Sequence, residues 1–518
     1  MLDKKLFFSY NSGGNENTKE LFVMKSIFHH TYNAAQLTNK KHRFSEPIDL
    51  TSGTPWKVIL KYSLPIMLSY LLQQIYVLTD AVICGQTLSA DEIAGVNDTF
   101  ALTFIFLQFA FGCTAGFSVI TANRVGLGDK AGVRRSFASQ ILLSGTTTLV
   151  LTALSLSLLP WLLRIINVTT DNIGVYRAAY SYCFVMFIGI FAQMGYNFIC
   201  SILRSVGDSV TPLVFLVLST LLNIGLDLWF LIGFRWGAAG AAFATVLAQA
   251  LSAVACFVYT FVRYPELRLN KEDFRITKAD IASHLRQGLP LGLQFSVLAI
   301  GIITMQGAVI RFDLQPDGLM VAGNPAQNGF GAANKLVNFL MVYFNGLGSA
   351  VVGYNAQNYG KGDYARIRKG TNQTLIIMLV FSAACTAIGL LLSIGGVYQH
   401  IFLSADKISS ESIRYGNLYL YADMPLYMIL GFLIVMRSAV QGTGRSEFTL
   451  GAGIAELVSR VLICSFLPAL VNGGPTNALS SSGAFYVLCL GDPGAWTLAS
   501  LLLLYPYFCY ILREKYPN

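Results

Sequence analysis

Charge is scarce in this chain. Of its 518 residues only 12% are Asp, Glu, Lys or Arg, against about 25% in an ordinary soluble domain. Histidine is scarcer still. The five present (His29, His30, His42, His284 and His400) form no cluster with carboxylates or cysteines and supply neither Ser-His nor His-His spacing within an apolar run. That argues against a metal centre and against a membrane-embedded hydrolase. The nine cysteines are scattered through apolar stretches with no CxxC pair, so they read as small buried hydrophobes rather than disulfides or ligands. Phosphate loops are missing too. Gly126-x-Gly128 follows an apolar helix and lacks the strand context such a loop needs, so ATP use has no support.

What fills the space is apolar. Hydrophobic residues make up 54% of the chain, and the mean hydropathy is +0.56. Runs of about 20 apolar residues recur along the whole length, each long enough to cross a hydrocarbon core of about 30 Å. Twelve spans are predicted, at 57–84, 93–119, 137–160, 176–200, 210–233, 237–261, 287–310, 331–355, 373–397, 416–437, 447–470 and 490–512. The aromatic load of 35 Phe, 25 Tyr and 5 Trp suits packing and lipid contact before any cargo-stacking role.

The formal charge of +9 invites a nucleic-acid reading, which its distribution refutes. With the N-terminus placed inside, 28 of the 36 Lys and Arg fall on the inner side, seven fall outside, and Arg460 lies within a span. By the positive-inside rule both ends are expected in the cytoplasm. The expected location is the plasma (inner) membrane. Residues 1–52 read as a polar cytoplasmic tail without a signal peptide, in which Met24 offers an alternative start.

The rest of the chain repeats itself. Ser63-Leu64-Pro65-Ile66 opens the first span and Gly288-Leu289-Pro290-Leu291 opens the seventh. Gly126-Leu127-Gly128-Asp129 follows the second, and Gly360-Lys361-Gly362-Asp363 follows the eighth. Leu203-Arg204-Ser205-x-Gly207-Asp208 follows the fourth, and Met436-Arg437-Ser438 with Gly442-Thr443-Gly444-Arg445 follows the tenth. The offsets are 225, 234 and 237 residues, and three correspondences in one order point to a duplicated six-span unit. That is the parallel-repeat design of alternating-access carriers. The expected architecture is an all-α membrane protein of twelve transmembrane helices in two six-helix pseudo-symmetric bundles. A first lobe covers 53–262, a cytoplasmic linker 263–286 and a second lobe 287–518.

Carboxylates inside the spans are the energetic anomaly. Asp227 sits in Leu221-Leu222-Asn223-Ile224-Gly225-Leu226-Asp227-Leu228 and Asp80 near the end of the run 66–85. An ionised group at such depth costs about 3 kcal/mol on insertion scales and usually faces a cavity. Asn223 and Asp227 are four apart and share one helix face; Gln73 and Asp80, seven apart, do likewise. If the fifth span starts near Val210, Asp227 lies about 25 Å along it and Thr245 about 12 Å along the sixth. All three then share one outer depth. The second half places Met305 and Cys464 near the counterpart positions, so the acidic chemistry is expected in the first half alone. Two neighbouring carboxylates shielded from water can take up a proton, and with amide and hydroxyl oxygens they also suit a small hard cation such as Na⁺.

Over about residues 53–512 the chain resembles the multidrug and toxic compound extrusion (MATE) family. The resemblance rests on Leu64-Pro65, on Asp80 with Gly85 and Ile93-Ala94-Gly95-Val96, on the Gly-Asp loops, on Leu203 to Asp208 leading to Pro212, and on Asn223-x3-Asp227. It implies a secondary active exporter, not an enzyme, that moves small amphipathic or cationic compounds against H⁺ or Na⁺ without a cofactor. It also implies Asp80, Asn223, Asp227 and Thr245 as the ion-coupling set, with Gln73 and Asn197 lining the first lobe's cavity. Helical spacing adds Gln193, one turn before Asn197; Tyr76, Phe191, Tyr343 and Tyr354 are aromatic candidates for substrate lining. Glu456 and Arg460, four apart in the eleventh span, are expected to compensate each other as an ion pair and offer a C-lobe coupling pair. Asp423-Met424-Pro425 reads equally as a cavity carboxylate or a helix end. The alternative function is a lipid-linked saccharide flippase of the related superfamily, which needs several basic residues in its central cavity. A monomer is the simple default for such a carrier.

Overall fold

The computed structural model describes residues 46–404 and 407–513; the tail before them, Met24 included, lies outside the described residues. From Pro47 onward the chain packs as one unit. Among the described residues twelve helical spans follow one another: α1 (Pro55–Thr87), α2 (Ala90–Leu127), α3 (Lys130–Ile165), α4 (Ile173–Ile188 with Ile190–Ser205), α5 (Val210–Gly233), α6 (Gly237–Arg263), α7 (Lys278–Ile310), α8 (Pro325–Lys361), α9 (Tyr364–Phe402), α10 (Ser410–Gly442), α11 (Ser446–Asn472) and α12 (Ser482–Leu512). Eleven are each long and apolar enough to cross a membrane, and the bent pair in α4 completes the twelve. The apolar runs thus marked every span, although the helices extend several residues beyond them at most ends.

The duplication is visible in the packing. Within the first half α1 packs on α5, α2 on α3 and α4, and α5 on α6. Within the second, α7 packs on α11, α8 on α9 and α10, and α11 on α12. The two halves meet through α2 against α7 and α1 against α8, a pair of seams that are each other's counterparts under the duplication.

Small residues set how tightly those seams close. Gly112 and Gly116 on α2 face Gly288 and Gly292 on α7, a small-xxx-small arrangement on both sides. A β-carbon on Gly112 would come within 2.6 Å of the Leu291 carbonyl oxygen, and one on Gly116 within 2.5 Å of that of Gln287. The counterpart seam is coarser: Gly346 of α8 packs on Met67 of α1, and the Tyr70 hydroxyl lies 3.2 Å from that of Ser349.

The repeated Gly-x-Gly-Asp motif has a mechanical role. Gly128 (φ +72°) and Gly362 (φ +77°) end α2 and α8 in the left-handed conformation that glycine adopts without strain. Asp129 and Asp363 then cap the next helix, accepting from the amides of Gly132 at 2.8 Å and Arg366 at 3.0 Å. The first glycine of each motif serves the crossing of α2 and α8. Gly126 abuts the Gln357 backbone, and Gly360 abuts that of Asn123. Gly207 (φ +89°) and Gly444 (φ +77°) repeat the correspondence after α4 and α10.

These crossings lie at the end of the bundle that carries Pro55 and Arg513, called here the near end. The segment after Pro47 closes over it. The Ile48 amide donates to the Gly207 carbonyl at 3.0 Å, Asn358 donates to the Leu50 carbonyl at 3.0 Å, and Arg366 donates to the Gly53 carbonyl at 2.6 Å. The last residues of the polar tail, 47–52, are therefore packed against both halves, with Leu50 fully buried.

Two helices of the first half depart from regular geometry. α4 bends by 42° at Gly189, where Val246 of α6 occupies the space a side chain would take. In α5 the α-helix gives way to a π-helical stretch, Leu228–Gly233, immediately after Asp227. Such widened turns recur at functional sites.

Candidate functional site

The expected ion-coupling residues come together in the first half. α1 brings Tyr76 and Asp80, α5 brings Asn223 and Asp227, and α6 brings Thr245. The Thr245 hydroxyl is the joint: it lies 3.2 Å from the Tyr76 hydroxyl and accepts from Asn223 Nδ2 at 3.4 Å. Asp227 is wholly buried and Asn223 is 1% exposed. The Asp80 and Asp227 carboxylates are near enough to interact directly. Tyr182 of α4 and Cys84 of α1 complete the surroundings. Nothing in the sequence singled out Tyr182, because the neighbouring Tyr176, Tyr180 and Phe184 stack as an ordinary aromatic ladder.

One feature separates this cluster from a packing motif. One oxygen of Asp80, both oxygens of Asp227 and the side-chain oxygen of Asn223 are buried without a hydrogen-bond partner among the described residues. Buried acceptors are almost always satisfied. Four orphaned oxygens around two carboxylates make a site of negative potential, suited to a proton or a small cation.

Gln73 and Asn197 meet elsewhere, toward the near end. They line a cavity of about 50 Å³ between α1, α2, α4 and α5, together with Ser69, Tyr196, Ser201 and Arg204. Gln193 lines neither this cavity nor the hydrogen-bonded cluster; it is half-buried one turn earlier on α4. Of the other aromatic candidates, Phe191 and Tyr343 are exposed. Tyr354 is a packing residue instead: it is wholly buried, with its hydroxyl donated to the Arg366 carbonyl at 3.0 Å.

The second half corrects two expectations. Glu456 and Arg460 do not pair with each other. Glu456 pairs with Arg437 of α10, and Arg460 grips Asp492 of α12 through Nε at 2.9 Å and Nη2 at 2.6 Å. The i,i+4 spacing put the two on one face, but partners on adjacent helices are nearer. Nor is acidic chemistry confined to the first half. Asp423 is wholly buried where α10 breaks into a 3₁₀ turn, and the Tyr419 hydroxyl reaches Asp492 at 3.3 Å. Asp492 falls at the very start of the predicted span 490–512, where a charge is unremarkable; the helix begins earlier, and Asp492 lies ten residues inside α12. Gly301 makes room for Arg460, whose Nη1 sits 2.5 Å from where a β-carbon would stand.

Two six-span halves about a pseudo-two-fold, with a polar site buried inside one of them, define a multi-pass membrane carrier. The chain belongs to the MatE family, whose model matches residues 65–229 and 320–466, and it is accordingly a membrane transporter rather than an enzyme. Among its relatives is the probable multidrug resistance protein YpnP of Bacillus subtilis, 30% identical over 325 residues that cover 62% of this chain and 68% of the relative. Another is the probable multidrug resistance protein YoeA of Bacillus subtilis, 22% identical over 469 residues, 89% of this chain and 95% of the relative. A solved structure described as the outward-facing conformation of a multidrug resistance MATE family transporter of the MOP superfamily shares the fold. Its TM-score is 0.78 at 20% identity, covering 92% of this chain and 100% of that one.

Proposed function

We propose that this transporter expels small amphipathic, often cationic compounds in exchange for H⁺ or Na⁺ by alternating access. The observation that carries the reading is the set of four unpartnered oxygens on Asp80, Asn223 and Asp227, beside Thr245. A cation that binds them neutralises a charge that is costly inside a membrane. It biases the conformational equilibrium only as far as it prefers one state over the other. Competition between the ion and a cationic cargo for the same negative potential then links ion entry to cargo exit.

The charge bias supports placing the near end in the cytoplasm, with the protein in the plasma membrane. In that orientation the seams of α2 with α7 and of α1 with α8, and the segment 47–54, seal the cytoplasmic side. The state described is then one that faces outward. The lipid-linked saccharide alternative loses ground, because the deeply buried Arg437 and Arg460 are each taken by a carboxylate, Glu456 and Asp492. A monomer suffices for this scheme, since the carboxylate site draws all its residues from one chain.

The test is transport into everted vesicles with a pH gradient and a Na⁺ gradient imposed separately. One gradient alone should drive cargo uptake, and no response to either gradient would overturn the exchange mechanism.

A further inference from the structure

The cavity shared by Gln73 and Asn197 has a chemical sign opposite to that of the carboxylate site. Among its described lining residues there is one cation, Arg204, and no carboxylate. Arg204 enters no salt bridge among the described residues. The neighbouring Asp208 is engaged elsewhere: it accepts from the amides of Val210 at 3.1 Å and Thr211 at 3.0 Å, and from the hydroxyls of Thr211 at 2.6 Å and Tyr264 at 2.7 Å. Two donors of its lining residues, Arg204 Nε and Asn197 Nδ2, are buried without a hydrogen-bond partner among the described residues. They stand seven residues apart on α4, two turns along one face. The hydroxyls of Ser69, Tyr70 and Tyr196 are already bonded, to the Pro65 carbonyl, Ser349 and the Pro212 carbonyl.

Orphaned donors around an unpaired guanidinium call for an acceptor that carries negative charge. A volume of about 50 Å³ admits a carboxylate or a few waters, not a whole drug-sized molecule. Water would satisfy the donors, whereas a carboxylate would satisfy them and pair with the guanidinium charge as well.

We infer that Arg204 and Asn197 form an acid-recognition subsite that holds a carboxylate borne by the cargo. Resting on the export reading, this names a cargo class: zwitterionic compounds whose cationic part faces Asp80 and Asp227 and whose acidic part faces Arg204. Gln73 lines the subsite and lies seven residues, about 10 Å along α1, before Asp80.

The test uses two dyes that differ only at the carboxyl group, rhodamine 110 (free acid) and rhodamine 123 (its methyl ester). Their binding to the purified full chain in detergent is read by fluorescence polarisation. The wild-type protein should bind the acid about ten-fold more tightly than the ester, the scale of a charged hydrogen bond. Arg204→Gln should abolish that preference by weakening the acid alone, and Arg204→Lys should keep part of it. An acid-to-ester ratio near one in the wild-type protein, or a ratio unchanged by Arg204→Gln, overturns the subsite. Either result leaves export itself untouched, because ester efflux from vesicles is followed in parallel and depends on the carboxylates instead.

Discussion

Gly126 of α2 and Gly360 of α8 are each other's counterparts, 234 residues apart, and each is pressed against the backbone of the helix that carries the other. Gly126 meets Gln357 and Gly360 meets Asn123, so one helix crossing is closed twice by the same device. In addition, Gln357 Nε2 donates to the Ser205 carbonyl at 2.8 Å and ties α8 to the end of α4. No β-carbon fits at either glycine without separating the helices.

Gly126→Ala and Gly360→Ala should therefore open the near end. With spin labels at the near ends of α2 and α8, pulsed dipolar spectroscopy should show a longer and broader distance in either variant, and transport should fall at least about ten-fold, the effect of roughly 1.4 kcal/mol. Gly128→Ala makes the contrast, since nothing stands near its β-position and only its φ of +72° is at issue. It should cost about 1 kcal/mol in stability and leave the distance unchanged.

The exchange of partners in the second half predicts a specific rescue. Breaking a buried pair by removing one member costs about 3–5 kcal/mol, whereas removing both costs far less. Glu456→Gln should lower the thermal unfolding temperature in detergent. Adding Arg437→Gln should restore much of the loss, while adding Arg460→Gln should deepen it, because that change orphans Asp492 as well. Rescue by Arg460→Gln instead would restore the pairing suggested by spacing alone.

Thr245 joins α1 to α5 through a single hydroxyl. Replacing it with Val keeps the shape and removes both contacts. At about 1 kcal/mol per hydrogen bond, transport at a limiting ion gradient should drop about five- to thirty-fold and recover at a steep gradient. Tyr76→Phe removes only one of the two contacts and should have the smaller effect. A larger effect from Tyr76→Phe would show that the hydroxyl does more than brace Thr245.

Much of the fold was legible because lipid imposes one solution on the backbone: twenty apolar residues must become a helix. Lysine and arginine counts then order the spans, and the Gly-x-Gly-Asp echo reveals the duplication. The meeting of Asp80 and Asp227 near Thr245 was legible too, since helical rise alone puts them at one depth. The remainder depended on distances between helices. The i,i+4 relation of Glu456 and Arg460 is a true statement about one helix, but Arg437 and Asp492 approach from two others. Gly189 and Asp227 carry no sequence mark of the bend in α4 and the π-helical stretch in α5. Asp492 stood at the edge of the predicted span 490–512, and only the earlier start of α12 puts it inside the bundle.

The central claim is that the two carboxylates of the first half bind the driving ion. Asp80→Asn and Asp227→Asn keep size and hydrogen bonding while removing the charge. Gradient-driven efflux in proteoliposomes, with folded protein verified by gel filtration and thermal unfolding, tests the claim directly. Each substitution should reduce gradient-driven efflux to background while the protein elutes and melts as the wild type does. Full efflux from both variants would contradict the account.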